Sequence, residues 1–313
     1  MIFVSGATGH IGNNVVRAFL EAKMPVTALI RRRSMALTGL DLTIFEGDLF
    51  DPTWLSSLLQ EGDILVHCAG VIDFSKKDKI ESEQVNVEGT RILLAICEAK
   101  KVRLIFVSSV DAIRKPTDGG PIRVPNTADL TGVKSHYSMA KAASARMVSE
   151  RLDAGTLVGA IVYPAAVVGP NDYKPSRAGA ELMSILKRKI VFDLRGGYNF
   201  VDVRDVALAI VHIVQKAMSG HFILGAHERT IREFYQTIRT VSKRRFMIVP
   251  IPVWLAKGGS VFFRRYTPVM IDAVLENHAY DTSRMTELLG RRPIEFEQTV
   301  LDTIRWFERR TQS

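Results

Sequence analysis

Ile2-Phe3-Val4-Ser5-Gly6-Ala7-Thr8-Gly9-His10-Ile11-Gly12 opens the chain and sets its architecture. A short apolar run enters a turn with a glycine at every third position, and an amphipathic stretch from Ile11 to Lys23 follows at once. This is the order strand, turn, helix. Glycine lets the backbone turn sharply and come close to a ligand with no Cβ in the way. The helix N-terminus supplies free N–H groups and a partial positive charge. The last glycine lets helix and strand pack closely. Together these features make a cradle for a pyrophosphate, and so for a dinucleotide.

The rest of the first half repeats the alternation. Ile2–Ser5, Val26–Ile30, Leu42–Phe45, Ile64–His67, Leu104–Ser108 and Val158–Val162 read as buried parallel strands. A helical pattern from about Ile80 to Lys100 sets Val85, Gly89, Ile92, Leu93 and Ile96 on one face. The alternation predicts an α/β fold, a doubly wound and mostly parallel sheet with helices on both faces. After Pro164 the texture changes. Gly169-Pro170-Asn171-Asp172 is turn chemistry, and Ala178–Lys189 is helical. Asn199–Val203 and His221–Leu224 read as short strands, with Asp205 capping a helix over Val206–Ala217. Thr230 and Glu233 fit a capping box, and the remainder to about residue 310 is mostly helical. The expected division is a dinucleotide-binding domain over 1–168, to which 199–225 returns, and a smaller, mainly helical substrate lobe over 169–198 and 226–313.

Bulk properties exclude several classes. A chain of 313 residues with 47% hydrophobic and 24% charged residues builds a sizeable globular core. The net charge of +9 comes from scattered clusters such as Arg31-Arg32-Arg33 and Lys243-Arg244-Arg245. No basic stripe interleaved with aromatics occurs, so nucleic acid is not an expected partner. Cys68 and Cys97 have no metal-ligand spacing and read as small core residues. No metal is expected. The N-terminus lacks the pattern of a signal peptide, and the apolar run Met247 to Phe263 is broken by Pro250, Pro252 and Lys257. The expectation is a cytoplasmic enzyme with no membrane span.

The end of the second strand selects the nucleotide. An acid there binds the ribose 2′-hydroxyl of NAD, whereas Arg accommodates the 2′-phosphate of NADP. The sequence has Ile30-Arg31-Arg32-Arg33-Ser34, with no acid. Arg31 is the best-placed residue, with Arg32 or Ser34 assisting. The expected cofactor is NADP(H), with NAD(H) as the alternative. The cofactor set read from the turn and the strand ends is Gly6, Thr8, Gly9, His10, Ile11, Gly12, Arg31, Arg32, Asp48, Leu49, Cys68, Ala69, Gly70, Val107 and Ser108. Asp48 is placed to accept from the adenine amino group, and the small residues after His67 let the cofactor approach.

Tyr137-Ser138-Met139-Ala140-Lys141 puts a phenol and an ammonium on one helix face, with Ser135 as the cap. The ammonium is expected to lower the Tyr137 pKa toward neutrality for acid/base work. Ser109, just past the fifth strand, is the expected holder of a substrate oxygen. Asn86 is expected to anchor a water or fix the site backbone. His136 faces elsewhere. Candidate substrate-lining residues are Val71, Ile72, Phe74, Ile113, His136, Tyr173 and Phe200, a moderately apolar set.

These pieces, in order, resemble the extended short-chain dehydrogenase/reductases: SGATGHIG (5–12), GDL (47–49), HCAG (67–70), NVEGT (86–90), VSSV (107–110), YSMAK (137–141), YPAAVVGP (163–170) and FVDVRDVA (200–207). FILGAHERTIREF (222–234) and DTSRMTELLGRRP (281–293) are similar to the dihydroflavonol reductase-like and 3β-hydroxysteroid dehydrogenase-like branches. The resemblance implies a seven-stranded Rossmann sheet, Tyr137 as acid/base, Lys141 on the nicotinamide ribose and Ser109 orienting substrate. It implies that the Tyr163, Pro164 and Val167 backbone lies near the nicotinamide. It also implies a homodimer through the helices near Ile80–Lys100 and Tyr137–Leu152. The expected activity is reduction of a carbonyl, or oxidation of an alcohol, in a small substrate. Alternatives are a sugar-nucleotide epimerase or dehydratase that retains its cofactor, and a non-catalytic NADP-sensing protein. The segment Val110-Asp111-Ala112-Ile113-Arg114 lacks the Tyr-Gly pair common in sugar-nucleotide members, which weighs against the first alternative.

Overall fold

The apolar runs become seven strands of one all-parallel sheet. They are β1 (Ile2–Ser5), β2 (Val26–Ile30), β3 (Thr43–Glu46), β4 (Ile64–His67), β5 (Arg103–Val107), β6 (Gly159–Pro164) and β10 (Gly220–Leu224), in the order β10-β6-β5-β4-β1-β2-β3. The computed structural model describes residues 1–70, 84–116, 120–133, 135–260, 268–276 and 278–312. Strands β1, β2 and β6 are buried along their whole length, whereas the edge strand β3 is exposed. Burial on both faces is why their sequences are continuous apolar runs rather than alternating ones. From β1 the chain builds outward to β2 and β3, then returns to place β4, β5, β6 and β10 on the other side. Strand order therefore reverses between β1 and β4, and a crevice forms there at the carboxyl ends of the strands.

The helices are α1 (His10–Glu21), α2 (Pro52–Leu58), α3 (Gly89–Lys100), α4 (His136–Asp153), α5 (Arg177–Ile185), α6 (Val203–Gln215), α7 (Ile231–Ser242), α8 (Val253–Ser260), α9 (Pro268–Leu275), α10 (Ser283–Leu289) and α11 (Phe296–Gln312). Helix α1 packs on α6, and α3 on α4. The Ser135 hydroxyl caps α4 by accepting from Ser138 N, and Thr230 and Glu233 form the capping box of α7. A single π turn, Gln84–Glu88, leads into α3. The start of this helix expected at Ile80 lies outside the described residues, as do Val71, Ile72 and Phe74. None of the described helices is long and apolar enough to cross a membrane.

Two readings of the second half change. Asn199–Val203 belongs to β9 (Gly197–Asp202), which does not enter the large sheet. It pairs in parallel with β7 (Ala166–Val168) and antiparallel with β11 (His227–Thr230). The α6 cap is Asp202, whose carboxylate accepts from Arg204 N at 2.8 Å. Asp205 lies inside the first turn and is fully buried. It accepts from Arg291 Nη2 at 2.6 Å and from Ile294 N at 2.8 Å. Both acids suit a helix start, and what separates them is the buried partner that only the folded chain supplies. Beside these strands a second apolar cluster forms from Leu182, Ile185, Phe200, Phe234, Ile238, Phe296 and Val300. A two-stranded sheet, β8 (Ile190–Asp193) with β12 (Met247–Pro250), lies outside the main one.

Candidate active site

The glycine turn is closed by its own backbone, with Gly9 N donating to Gly6 O at 2.9 Å and Asn13 N to Gly9 O at 2.9 Å. Gly6 has φ +68°, and a Cβ there would sit 2.5 Å from Ala69 N. A Cβ on Gly12 would sit 2.3 Å from Gly6 O. Neither position admits a side chain, so the turn, the start of α1 and the segment after β4 are pressed together. No acid occupies the first turn of α1, whose leading N–H groups have no intrahelical acceptor. Nearby, Ser108 is buried and its Oγ has no hydrogen-bond partner among the described residues. A bare cradle, a positive helix end and an orphaned buried hydroxyl fit a dinucleotide in the crevice. His10, Thr8 and Ile11 lie in this turn, and the His10 ring is tied to Pro170 O at 3.1 Å.

Arg31 and Arg32 follow β2 at the same end of the sheet, with exposed side chains. Arg33 is engaged instead with Glu46 at 2.7 Å. Ser34 Oγ accepts from Ala36 N at 3.2 Å. Asp48 uses Oδ1 to accept from Phe50 N at 3.0 Å and shapes its own loop. Leu49 and Ala69 are half-buried, and Val107 is buried. Tyr163 points its ring into the core, where its hydroxyl meets His221 Nδ1 at 2.9 Å. Pro164 ends β6, and Val167 lies in β7.

Ser109, Tyr137, Lys141 and Asn86 come together from β5, α4 and the turn before α3. Tyr137 is buried and hydrogen-bonded to Ser109. A Cβ on Gly70 would meet Lys141 Nζ at 2.9 Å and Asn86 Oδ1 at 3.0 Å. Asn86 O accepts from Thr90 Oγ1 at 2.6 Å and from Ser144 Oγ at 2.5 Å, which joins α3 to α4. Lys141 and Asn86 thus border the segment Cys68-Ala69-Gly70 that the glycine turn also touches, and Tyr137, four positions before Lys141 on α4, holds Ser109.

One electrostatic expectation is reversed. Burial raises the Tyr137 phenol well above its ordinary value, and Asp111 adds to the rise; the Ser109 hydrogen bond and Arg177 oppose it. Lys141 does not set this balance. Burial holds its ammonium down to about 8, and its charge is felt at Cys68 and His67. Sharing a helix face does not fix where a long side chain ends, and here desolvation outweighs the pair. His67 is held down to about 3 by burial and then by Lys141, bonds Ser5 at 2.8 Å and stacks on Phe106. It is a neutral packing residue.

Several lining candidates lie elsewhere. Ile113 is core, and Phe200 packs on Phe234 and Phe296. Tyr173 packs edge-on against Trp306, with Arg17 and Arg310 over its ring. His136 is exposed. Aromatic character does not reveal which core a residue joins. The residues that act electrostatically on Tyr137 are Asp111 and Arg177, neither singled out from the sequence. The available signal was an acid two positions after the candidate serine. No group of three or more His, Cys, Asp or Glu that could hold a metal is present among the described residues.

The family model for NAD dependent epimerases/dehydratases matches residues 2–225. Sterol demethylase protein B of Methylococcus capsulatus is 30% identical over 326 residues, with 98% of each chain covered. The putative dihydroflavonol 4-reductase of Synechocystis sp. is 27% identical, covering 98% of this chain and 94% of that one. A solved UDP-glucose-4-epimerase from Stenotrophomonas maltophila, with bound NAD and formylated UDP-arabinopyranose, shares the fold with a TM-score of 0.82 at 18% identity, covering 99% and 98% of the two chains.

Proposed function

The chain belongs to the NAD dependent epimerase/dehydratase family, whose members are NAD(P)-dependent enzymes, and we propose that within it this protein is an NADP(H)-dependent reductase of a small carbonyl substrate. The observation that carries the reading is the contiguity of turn, Cys68-Ala69-Gly70, Lys141, Tyr137 and Ser109. When bound, a reduced nicotinamide supplies hydride to a carbonyl carbon. Ser109 orients the carbonyl oxygen, and Tyr137 gives that oxygen its proton. The Tyr137 hydroxyl, held protonated at neutral pH, is the group available to donate that proton. Lys141 and Asn86 border the approach to the nicotinamide ribose. The Tyr163, Pro164 and Val167 backbone lines the nicotinamide side. The reading places the enzyme in the cytoplasm, as a homodimer through the outer faces of α3 and α4.

NADP(H) preference rests on Arg31, with Arg32 beside it. A charge-assisted bond to a 2′-phosphate is worth about 1.5–3 kcal/mol. Arg31→Ala is therefore expected to weaken NADPH binding about tenfold to hundredfold and to leave NADH binding within about twofold. Fluorescence titration with both cofactors measures this. NADH binding as tight as NADPH binding in the unaltered protein refutes the preference.

A second reading, an epimerase or dehydratase with retained cofactor, draws on the family description. Cofactor that stays bound through purification and turnover favours it, whereas free exchange with added NADPH favours the reductase.

A further inference from the structure

Ser109 has one proton to donate, and Asp111 competes for it. Ser109 Oγ accepts from Asp111 N at 3.1 Å and donates to Asp111 Oδ2 at 3.3 Å. It is also hydrogen-bonded to Tyr137. Once the Ser109 proton goes to a carboxylate, the oxygen can only accept, and a substrate carbonyl gains no hydrogen bond from it. We propose that Asp111 is a positioning residue for carbonyl reduction, whose carboxyl decides whether the Ser109 hydroxyl is held within the protein or offered to the substrate oxygen. The proposal rests on the reductase reading above.

In its neutral form Asp111 becomes a donor. Its O–H bonds Ser109 Oγ, the Ser109 O–H turns to the substrate oxygen, and Tyr137 is released to give that oxygen its proton. Asp111 keeps its own proton throughout. In its charged form it takes the Ser109 hydrogen, opposes negative charge growing on the substrate oxygen and raises the Tyr137 phenol. The surroundings favour the neutral form. Burial raises the Asp111 carboxyl, and Glu276 adds to the rise; Lys115, Ser109 and Arg177 oppose it. Lys115 is itself paired with Glu276, which blunts its pull on Asp111. The remaining groups that feel Asp111 are the phenols of Tyr137, Tyr198 and Tyr280.

Two measurements decide it. In the apo-protein, carbon-13 carboxyl NMR with labelled aspartate identifies Asp111 as the signal missing from Asp111→Asn. That signal is expected to titrate above the ordinary aspartate range, and Ser109→Ala is expected to move it up by a further half unit or so, because a bond to the charged form is lost. A midpoint in the ordinary range, or no response to Ser109→Ala, overturns the proposal without reference to turnover. In the active enzyme, kcat is expected to fall about tenfold per pH unit above the Asp111 midpoint. Asp111→Asn, whose amide donates at every pH, is expected to remove that limb, keep kcat within about threefold at the acid end and leave KM unchanged. Asp111→Leu, which neither donates nor titrates, is expected to lower kcat about tenfold at the acid end and likewise to remove the Asp111 limb. A wild-type pH profile in Asp111→Asn overturns the proposal. No turnover of any carbonyl by any form refutes the reductase reading instead, and the NMR result then stands separately.

Discussion

Replacing Tyr137 with Phe is expected to lower kcat for carbonyl reduction at least about 10³-fold, while NADPH dissociation constants stay within about twofold. The ring is buried, hydrogen-bonded to Ser109, and keeps its packing in the variant. Only the hydroxyl is lost. Ser109 retains its bonds with Asp111, so the local backbone has no reason to move. The proton donor is absent, and among the described residues the acid hydrogen-bonded to Ser109 is Asp111. Steady-state NADPH oxidation and a fluorescence titration separate the two effects. Loss of cofactor binding along with activity would mean that Tyr137 is structural.

The second large effect belongs to Lys141. Lys141→Met is expected to lower kcat/KM about 10²-fold at neutral pH and to weaken NADPH binding. The side chain is 7% exposed, with Gly70 and Asn86 beside its ammonium. The sign of the pH dependence follows from the depressed value of about 8. The ammonium is charged below that pH and neutral above it. The contribution of the Lys141 charge is therefore present below about pH 8 and lost as pH rises through it, as a limb separate from that of Asp111. Lys141→Met is expected to abolish this alkaline limb. Thermal unfolding should not occur earlier, since a buried ammonium is costly to desolvate and Met fills similar volume. A retained limb near pH 8 in the variant would assign the ionisation to another group.

Much of the scaffold is written in local chemistry. The apolar runs of β1, β2 and β6 become strands buried on both faces, and Ser135, Thr230 and Glu233 cap helices through bonds to neighbours within three positions. The bare glycine turn is legible for the same reason. Where the outcome depends on distant partners, the sequence is silent. Asp205 resembles Asp202 until Arg291 and Ile294 meet it from 86 and 89 positions away. Phe200 and Tyr173 look alike as lining residues, and only the path of α11 decides that one packs on Phe296 and the other on Trp306. Asp111 is an ordinary acid in a short helical turn. Its proximity to Tyr137, and the contributions of Lys115, Arg177 and Glu276, require residues 115 to 276 to converge. The Tyr137–Lys141 spacing gave a shared face but not the electrostatic outcome, because burial is a property of the whole fold.

The most direct test of the reductase account follows deuterium from NADPH labelled at the nicotinamide C4 into product, over a panel of ketones, aldehydes and flavanonols. The account predicts one deuterium on the carbinol carbon of a turned-over substrate, with one equivalent of NADP released for each product formed. Isomerised or dehydrated product without net NADPH consumption, and without deuterium from exchangeable cofactor, would contradict it.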